Sequence, residues 1–149
     1  MYRNILVPTD GSRLAAKGIK SGVKLARALG AKVTGVYVIP PYVPPMYSEA
    51  ALYAVHGVRP QDYKRLTEKS AKKALAVVEI EAGTAGVRCT TQFVTAPRPW
   101  EGILKAARAN KCDAIAMASH GRGGLGGLLL GSETSRVLAH SKIPVLVCR

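Results

Sequence analysis

Ala118-Ser-His-Gly-Arg-Gly-Gly-Leu-Gly-Gly-Leu-Leu-Leu-Gly-Ser132 holds the residue types best suited to chemistry in this chain. It follows a short apolar run, Ala114-Ile-Ala-Met-Ala118, that reads as a buried strand. It leads into a helical pattern that begins near Gly131 and carries Val137 and Leu138. A strand, a Gly-rich loop and a helix start together form a phosphate-binding arrangement. Glycine lets the backbone approach an anion, and the first free N–H groups of the helix point at it with the positive end of the dipole behind them. Ser132 adds a hydroxyl at the helix entrance, where it can cap the helix or donate to a phosphate oxygen. The bland alternative is that Gly121 to Gly127 is only a surface loop.

Other chemistry is excluded by spacing. Gly121-Arg-Gly-Gly-Leu-Gly126 fits G-x-G-x-x-G, but it follows the fourth strand, and no acidic residue comes after Glu133 to hold a ribose. A dinucleotide site is therefore rejected. There is no G-x-x-x-x-G-K-[ST] run of a P-loop. Ser119 and His120 invite a catalytic-pair reading, but neighbours on a strand end should point apart, and Gly121 favours a backbone role. His56, His120 and His140 lack partners at metal-ligand spacing. No paired carboxylates stand out; only Asp10 is well placed. No catalytic set and no protein-built metal site are expected.

The elements that must position these groups follow in order. Arg3–Pro8 is a short apolar strand ending at Thr9-Asp-Gly-Ser12, a turn in which Asp10 or Ser12 can cap the next helix. From Arg13 to Leu29 the period is helical, with Leu14, Ala15, Ile19, Val23, Leu25, Ala26 and Leu29 on one broad face. Ala31–Ile39 alternates as strand two. Residues 40–60 break the rhythm with paired prolines and with Tyr42, Met46, Tyr47 and Tyr53, a loop that either covers a ligand or packs on its own domain. Pro60 to about Ala85 is a long helix, with Leu66, Ala71, Leu75, Val78 and Ala82 for its buried face. Val87–Thr95 is strand three, and Pro97–Asn110 is a helix with Trp100, Ile103, Leu104 and Ala107 on one face. Cys112–Ser119 is strand four, and Lys142–Cys148 is a terminal strand after the last helix.

That order, βαβαβαβαβ, predicts an α/β fold: one doubly wound, five-stranded open parallel sheet with helices on both faces, Rossmann-like. Ligands of such sheets sit at the C-terminal strand ends, where strand order reverses. The loops at that edge are Pro8–Ser12, the segment from Ile39 onward, and Ser119–Ser132.

The 149 residues suit a single domain, 1–149, and 48% of them are apolar, which argues against disorder. No apolar run approaches the ~20 residues of a membrane span. Cys89, Cys112 and Cys148 are odd in number and far apart, which points to a reducing compartment, by default the cytoplasm. The net charge of +13 raises attraction to nucleic acid or another polyanion. Arg13, Lys17, Lys20, Lys24 and Arg27 form the clearest basic stripe, opposite the apolar face of their helix. Without interleaved aromatics it predicts weak, nonspecific and salt-sensitive attraction.

With these residues in place, the chain resembles the universal stress protein family over its whole length. The resemblance rests on Ile5-Leu-Val-Pro-Thr-Asp-Gly-Ser12, on Ser119-His-Gly-Arg122 with Gly131-Ser132, and on Ile143-Pro-Val-Leu-Val147. Nucleotide-binding members carry G-x2-G-x9-G-[ST] after strand four. Here Gly121, nine residues and Gly131-Ser132 match that pattern, while Ala118 replaces its first glycine and Glu133 replaces a usual small apolar residue. The resemblance implies that Asp10 and the backbone around Pro8, Thr9 and Val38 contact adenine and ribose. It also implies that Met117 and Ala118 flank the sugar and that Gly121, Gly131 and Ser132 hold the phosphates of ATP. A homodimer through residues 143–148 and a Mg2+ or Mn2+ on the phosphates are further implications.

Three functional readings follow. The first is an ATP-binding regulatory or stress-response protein with little or no turnover, because no general base or Walker-type lysine is visible. The second is a nucleotide-free member of the same family acting through protein contacts. The third is a basic protein binding nucleic acid through the Arg13–Arg27 stripe.

Overall fold

The structure, a computed structural model, describes residues 1–44, 58–120 and 130–149. Its elements are β1 (Asn4–Pro8), α1 (Arg13–Leu29), β2 (Lys32–Ile39), α2 (Pro60–Thr84), β3 (Cys89–Thr95), α3 (Pro99–Ala109), β4 (Ala114–Ala118), α4 (Ser132–His140) and β5 (Val145–Cys148). The five strands form one parallel sheet in the order β3-β2-β1-β4-β5. The expected α/β architecture is therefore present. Strand order reverses between β1 and β4, where Ile5 pairs with Ala114 and Leu6 with Ile115.

Alternation along the central strands sorts the core into two layers. Ile5 and Val7 of β1 and Ala114 and Ala116 of β4 pack beneath α1 and α2, against Ile19, Val23, Ala26, Val78 and Ala82. Leu6, Ile115 and Met117 point the other way, against Ile103, Ala106, Ala107 and Val137 of α3 and α4. Ile5, Leu6, Val7 and Ile115 are fully buried, as strands covered on both faces must be.

Two polar devices fix the ends of β1. At its start the buried Asn4 donates to the Asn110 carbonyl at 2.9 Å and accepts from the Thr34 hydroxyl at 2.9 Å. At its exit, Asp10 Oδ1 accepts from Ser12 N–H at 2.9 Å, and Ser12 Oγ accepts from Ala15 N–H at 3.1 Å. Ser12, not Asp10, is thus the cap of α1, and Asp10 shapes the turn before it.

The buried face of α1 differs from the expected one. Leu14 is exposed, while Gly18 and Gly22 are buried. A Cβ on Gly18 would stand 2.5 Å from the Ala118 nitrogen, and one on Gly22 would stand 2.8 Å from a Val7 methyl. The helix approaches the sheet through its glycines, so the large side chain beside them is left at the rim. Leu66 of α2 and Leu138 of α4 are likewise exposed rather than buried. Strand and helix ends also move inward: β4 starts at Ala114, β5 at Val145, and α3 at Pro99, whose ring fits the first helical position.

Candidate functional site

The cavity opens where β1 and β4 part, at their C-terminal ends. It encloses about 400 Å³ and is lined by residues of six elements and their loops. Pro8, Thr9 and Asp10 arrive from the end of β1, Val36, Tyr37 and Val38 from β2, and Met117 and Ala118 from β4. Gly131, Ser132, Glu133 and Thr134 supply the start of α4, and Pro99 and Ile103 supply a wall from α3. Eight of the nine expected site residues therefore meet here: Pro8, Thr9, Asp10, Val38, Met117, Ala118, Gly131 and Ser132. Gly121 lies outside the described residues, as do Met46, Tyr47, Tyr53, His56 and the remainder of the Gly-rich run.

Sequence reasoning missed the α3 wall. Pro99 and Ile103 are more than 90 positions from Pro8 in the chain. A buried-face pattern says that a helix packs, not where its first turn lands. A glycine gives the one local signal: a Cβ on Gly102 would stand 2.7 Å from the Val38 methyls, so Gly102 lets α3 close on β2.

Three helix N-termini meet this edge, and they differ. The first turn of α1 is capped by Ser12 Oγ. In α3, Trp100 N–H donates to Glu133 Oε2 at 2.9 Å, so a carboxylate from the first turn of α4 caps a different helix. The first turn of α4 itself begins at Gly131, which brings no side-chain acceptor. Its first N–H groups, at Ser132, Glu133 and Thr134, receive no side-chain cap from Gly131, and the positive end of the helix dipole lies behind them. Ser132 sits at the first helical position and is exposed, so its hydroxyl is not the helix cap that its position in the sequence allows.

The rim of that seat is fixed by short-range bonds. Gly131 N–H donates to the Ser119 carbonyl at 2.8 Å, and Thr134 Oγ1 donates to the Ala118 carbonyl at 3.0 Å. A Cβ on Gly131 would stand 3.1 Å from the Ser119 carbonyl oxygen and 3.2 Å from His120 Cα. Glycine at 131 therefore permits close passage of α4's entry past the end of β4. Thr9 N–H is spent on the Val36 carbonyl at 2.9 Å, and Thr9 Oγ1 accepts from Gly11 N–H at 3.1 Å.

One expectation is corrected. Ser119 and His120 do not point apart: Ser119 Oγ lies 3.0 Å from His120 Nδ1. Both residues follow the last paired residue of β4, so the alternation of a strand no longer governs them. His120 lines the cavity. No lysine or arginine does so among the described residues, although the chain carries 22 of them. No group of three or more His, Cys, Asp or Glu side chains gathers to hold a metal among the described residues.

A parallel sheet in the order 3-2-1-4-5, with a cleft and a helix N-terminus at its switch point, defines a doubly wound α/β protein, a class whose ligands sit at that edge. Comparison with known proteins narrows the class. The family description "Universal stress protein family" matches residues 1–149, and the chain belongs to that family. A universal stress protein of Thermus aquaticus is 33% identical over the whole of both chains. The solved structure of MJ0577, a universal stress protein of Methanocaldococcus jannaschii, superposes with a TM-score of 0.74. It is 30% identical, with 99% of this chain and 96% of that one covered. A universal stress protein in complex with cAMP shares the fold at a TM-score of 0.71, 22% identity, and coverage of 99% of this chain and 97% of the other.

Proposed function

We propose that the protein is an adenine nucleotide-binding regulatory protein of the stress response, with ATP as its ligand and little or no turnover. The observation that carries this reading is the meeting of Asp10, Ala118, Gly131 and Ser132 in one cavity beside an uncapped helix N-terminus. The lining has two characters that suit the two ends of a nucleotide. Val36, Val38, Pro40, Ile103 and Met117 make an apolar wall for a base, and the first turn of α4 offers backbone donors for phosphates. That a universal stress protein of the same fold was solved in complex with cAMP supports an adenine nucleotide as the ligand class.

The described part of the lining supports the low-turnover reading. No described lining residue carries a fixed positive charge to meet the charge that develops on a transferring phosphoryl group. Asp10 and Glu133 are the carboxylates of the described lining, and with no cluster of metal ligands among the described residues a Mg2+ or Mn2+ would enter as a companion of the phosphates rather than as a resident ion. We place the protein in the cytoplasm as a homodimer. No helix among the described residues is long and apolar enough to cross a membrane, and the three cysteines form no disulfide.

Titration calorimetry with ATP and Mg2+ tests the reading. Saturable heat that is lost on competition with an adenine nucleotide supports it. If neither wild type nor Ala118→Gly gives heat at millimolar ATP, the cleft is vestigial, and the nucleotide-free reading with protein contacts replaces it.

A further inference from the structure

The charge of this protein is spent away from the cleft. Arg13, Lys17, Lys20, Lys24 and Arg27 of α1 are all exposed. At about 100° per residue they fall within an arc of about 80°, opposite the buried Gly18, Ile19, Gly22 and Ala26. They form a single file about 21 Å long at the helical rise. Among the described residues no ion pair neutralises it. The sequence holds no acidic residue between Asp10 and Glu49, and the first turn of α1 contains none. Among the described residues, ion pairs join Arg59 and Arg65 to Asp62 and Arg98 to Glu101, and none involves α1. The neighbouring α2 packs on the same face of the sheet through Val78 and Ala82, and it carries the exposed Lys69, Lys72 and Lys73 as well as the exposed Glu79.

We propose that this face of α1 is a docking surface for the phosphate backbone of duplex nucleic acid, read without regard to sequence. A row of cations one helical turn apart matches a line of phosphates. A duplex presents one negative charge per ~1.7 Å of axis, so every cation in the row meets backbone charge. The row carries no aromatic side chain on which an unpaired base could stack, which disfavours single strands. It also lacks the broad apolar face that a membrane-surface helix inserts. Leu14, at the edge of the face, is the one large apolar residue of α1 counted as exposed, and the other large side chains are turned to the core. The surface is independent of the nucleotide reading, since none of the five cations lines the cavity.

Fluorescence anisotropy of the full chain with a short labelled duplex, in two unrelated sequences, tests the proposal. Both sequences should bind alike, with a log–log salt slope of about −4.5 if five phosphates are neutralised. Lys17→Gln/Lys20→Gln/Lys24→Gln should reduce the slope to about −2. The matching triple change to arginine should keep it. Lys105→Gln/Arg108→Gln, which removes exposed charge from α3 on the opposite face, should leave it unchanged. Circular dichroism should show all variants folded. The proposal is overturned by any of four results. These are no binding at low salt, a preference for one sequence that survives physiological salt, an equal loss in the α3 variant, or stripe-dependent binding of phosphatidylglycerol vesicles without binding of duplex.

Discussion

The backbone N–H of Trp100 and the carboxylate of Glu133 are joined at 2.9 Å across 33 positions of sequence. The bond ties the first turn of α4 to the first turn of α3, two helices that wall the same cavity. Glu133 therefore has two helix N-termini to stabilise it, its own and that of α3. The carboxylate at a position where the family usually has a small apolar residue is engaged as the cap of another helix.

Replacing it separates charge from bonding. Glu133→Ala leaves Trp100 N–H without its acceptor and should cost about 1 kcal/mol in urea unfolding. Glu133→Gln keeps an acceptor oxygen and should cost less. Both should tighten ATP binding, because a negative charge leaves the lining. Unfolding midpoints and calorimetry on the same three proteins check the two effects apart.

Gly18 bears on both fold and cleft. Its missing Cβ is what lets α1 lie against the Met117–Ala118 backbone, with 2.5 Å as the distance an added Cβ would have to the Ala118 nitrogen. The obstacle is backbone, which cannot rotate away. Gly18→Ala should destabilise the protein by about 1–3 kcal/mol by overpacking, and Gly30→Ala, where nothing lies within 4 Å, offers a contrast whose cost is backbone strain at φ 65°. Equal costs for the two variants would contradict the close packing of α1 on β4.

How much of this the sequence disclosed depends on whether the signal was local. Buried runs such as Ile5-Leu-Val7 and Ala114-Ile-Ala-Met117 announce central parallel strands, because both faces are covered. Ser12 marks the start of α1 through its own side-chain and backbone chemistry. Leu14 misleads because hydrophobic periodicity weighs side chains by size, whereas α1 is positioned by the absence of side chains at Gly18 and Gly22. Pro99, Ile103 and the Glu133 cap become visible only when α3 and α4 are brought together, which no local pattern specifies. The pairing of Ser119 with His120 escapes for a smaller reason: the strand ends one residue before it.

Two thiols should be slow to react. Burial is the main cause that pushes the Cys112 thiol above its ordinary value, with Asp113 adding to it, and burial with the nearby Glu79 does the same at Cys89. Raised values keep both groups protonated to higher pH, so iodoacetamide labelling of native protein near neutral pH should be slower than in urea. The linkage has a definite sign. The folded protein holds these protons more tightly than the unfolded chain, so their contribution is complete below the unfolded thiol range and is lost as pH rises from there through the raised folded values. Mass spectrometry of labelled peptides reads the rates. Labelling as fast as that of the unfolded chain would contradict burial at these sites.

The edge of the sheet bears on assembly. β5 is paired only to β4, and its far edge has no neighbour in the sheet order. Val145 packs against the α3–α4 layer, whereas Leu146 is 44% exposed. Val145→Glu would thus damage the fold along with any interface, and Leu146→Glu is the cleaner probe. If β5 pairs with a second copy, sedimentation should show a dimer for wild type and a shift toward monomer for Leu146→Glu, with little change in Tm. A monomeric wild type at micromolar concentration removes β5 as a dimer edge.

ATP binding can be dissected at the seat of the phosphates. Ser132 is exposed at the first turn of α4 and makes no bond that caps its own helix, so Ser132→Ala should leave stability nearly unchanged. If its hydroxyl donates one net hydrogen bond to phosphate, the same change should weaken ATP by about 1 kcal/mol, roughly fivefold in Kd. Gly131→Val acts differently. Its side chain would press on the Ser119 carbonyl and His120 Cα rather than stand in the phosphate path, so it should lower both Tm and affinity. At position 118 the half-buried alanine belongs to the lining, while its backbone is held by Thr134 and packed under Gly18. Ala118→Gly removes that Cβ without moving its supports and should tighten ATP or leave it unchanged. Calorimetry with ATP and Mg2+, paired with thermal melts, distinguishes these outcomes. Undiminished affinity in both Ser132→Ala and Gly131→Val would move the phosphates away from α4.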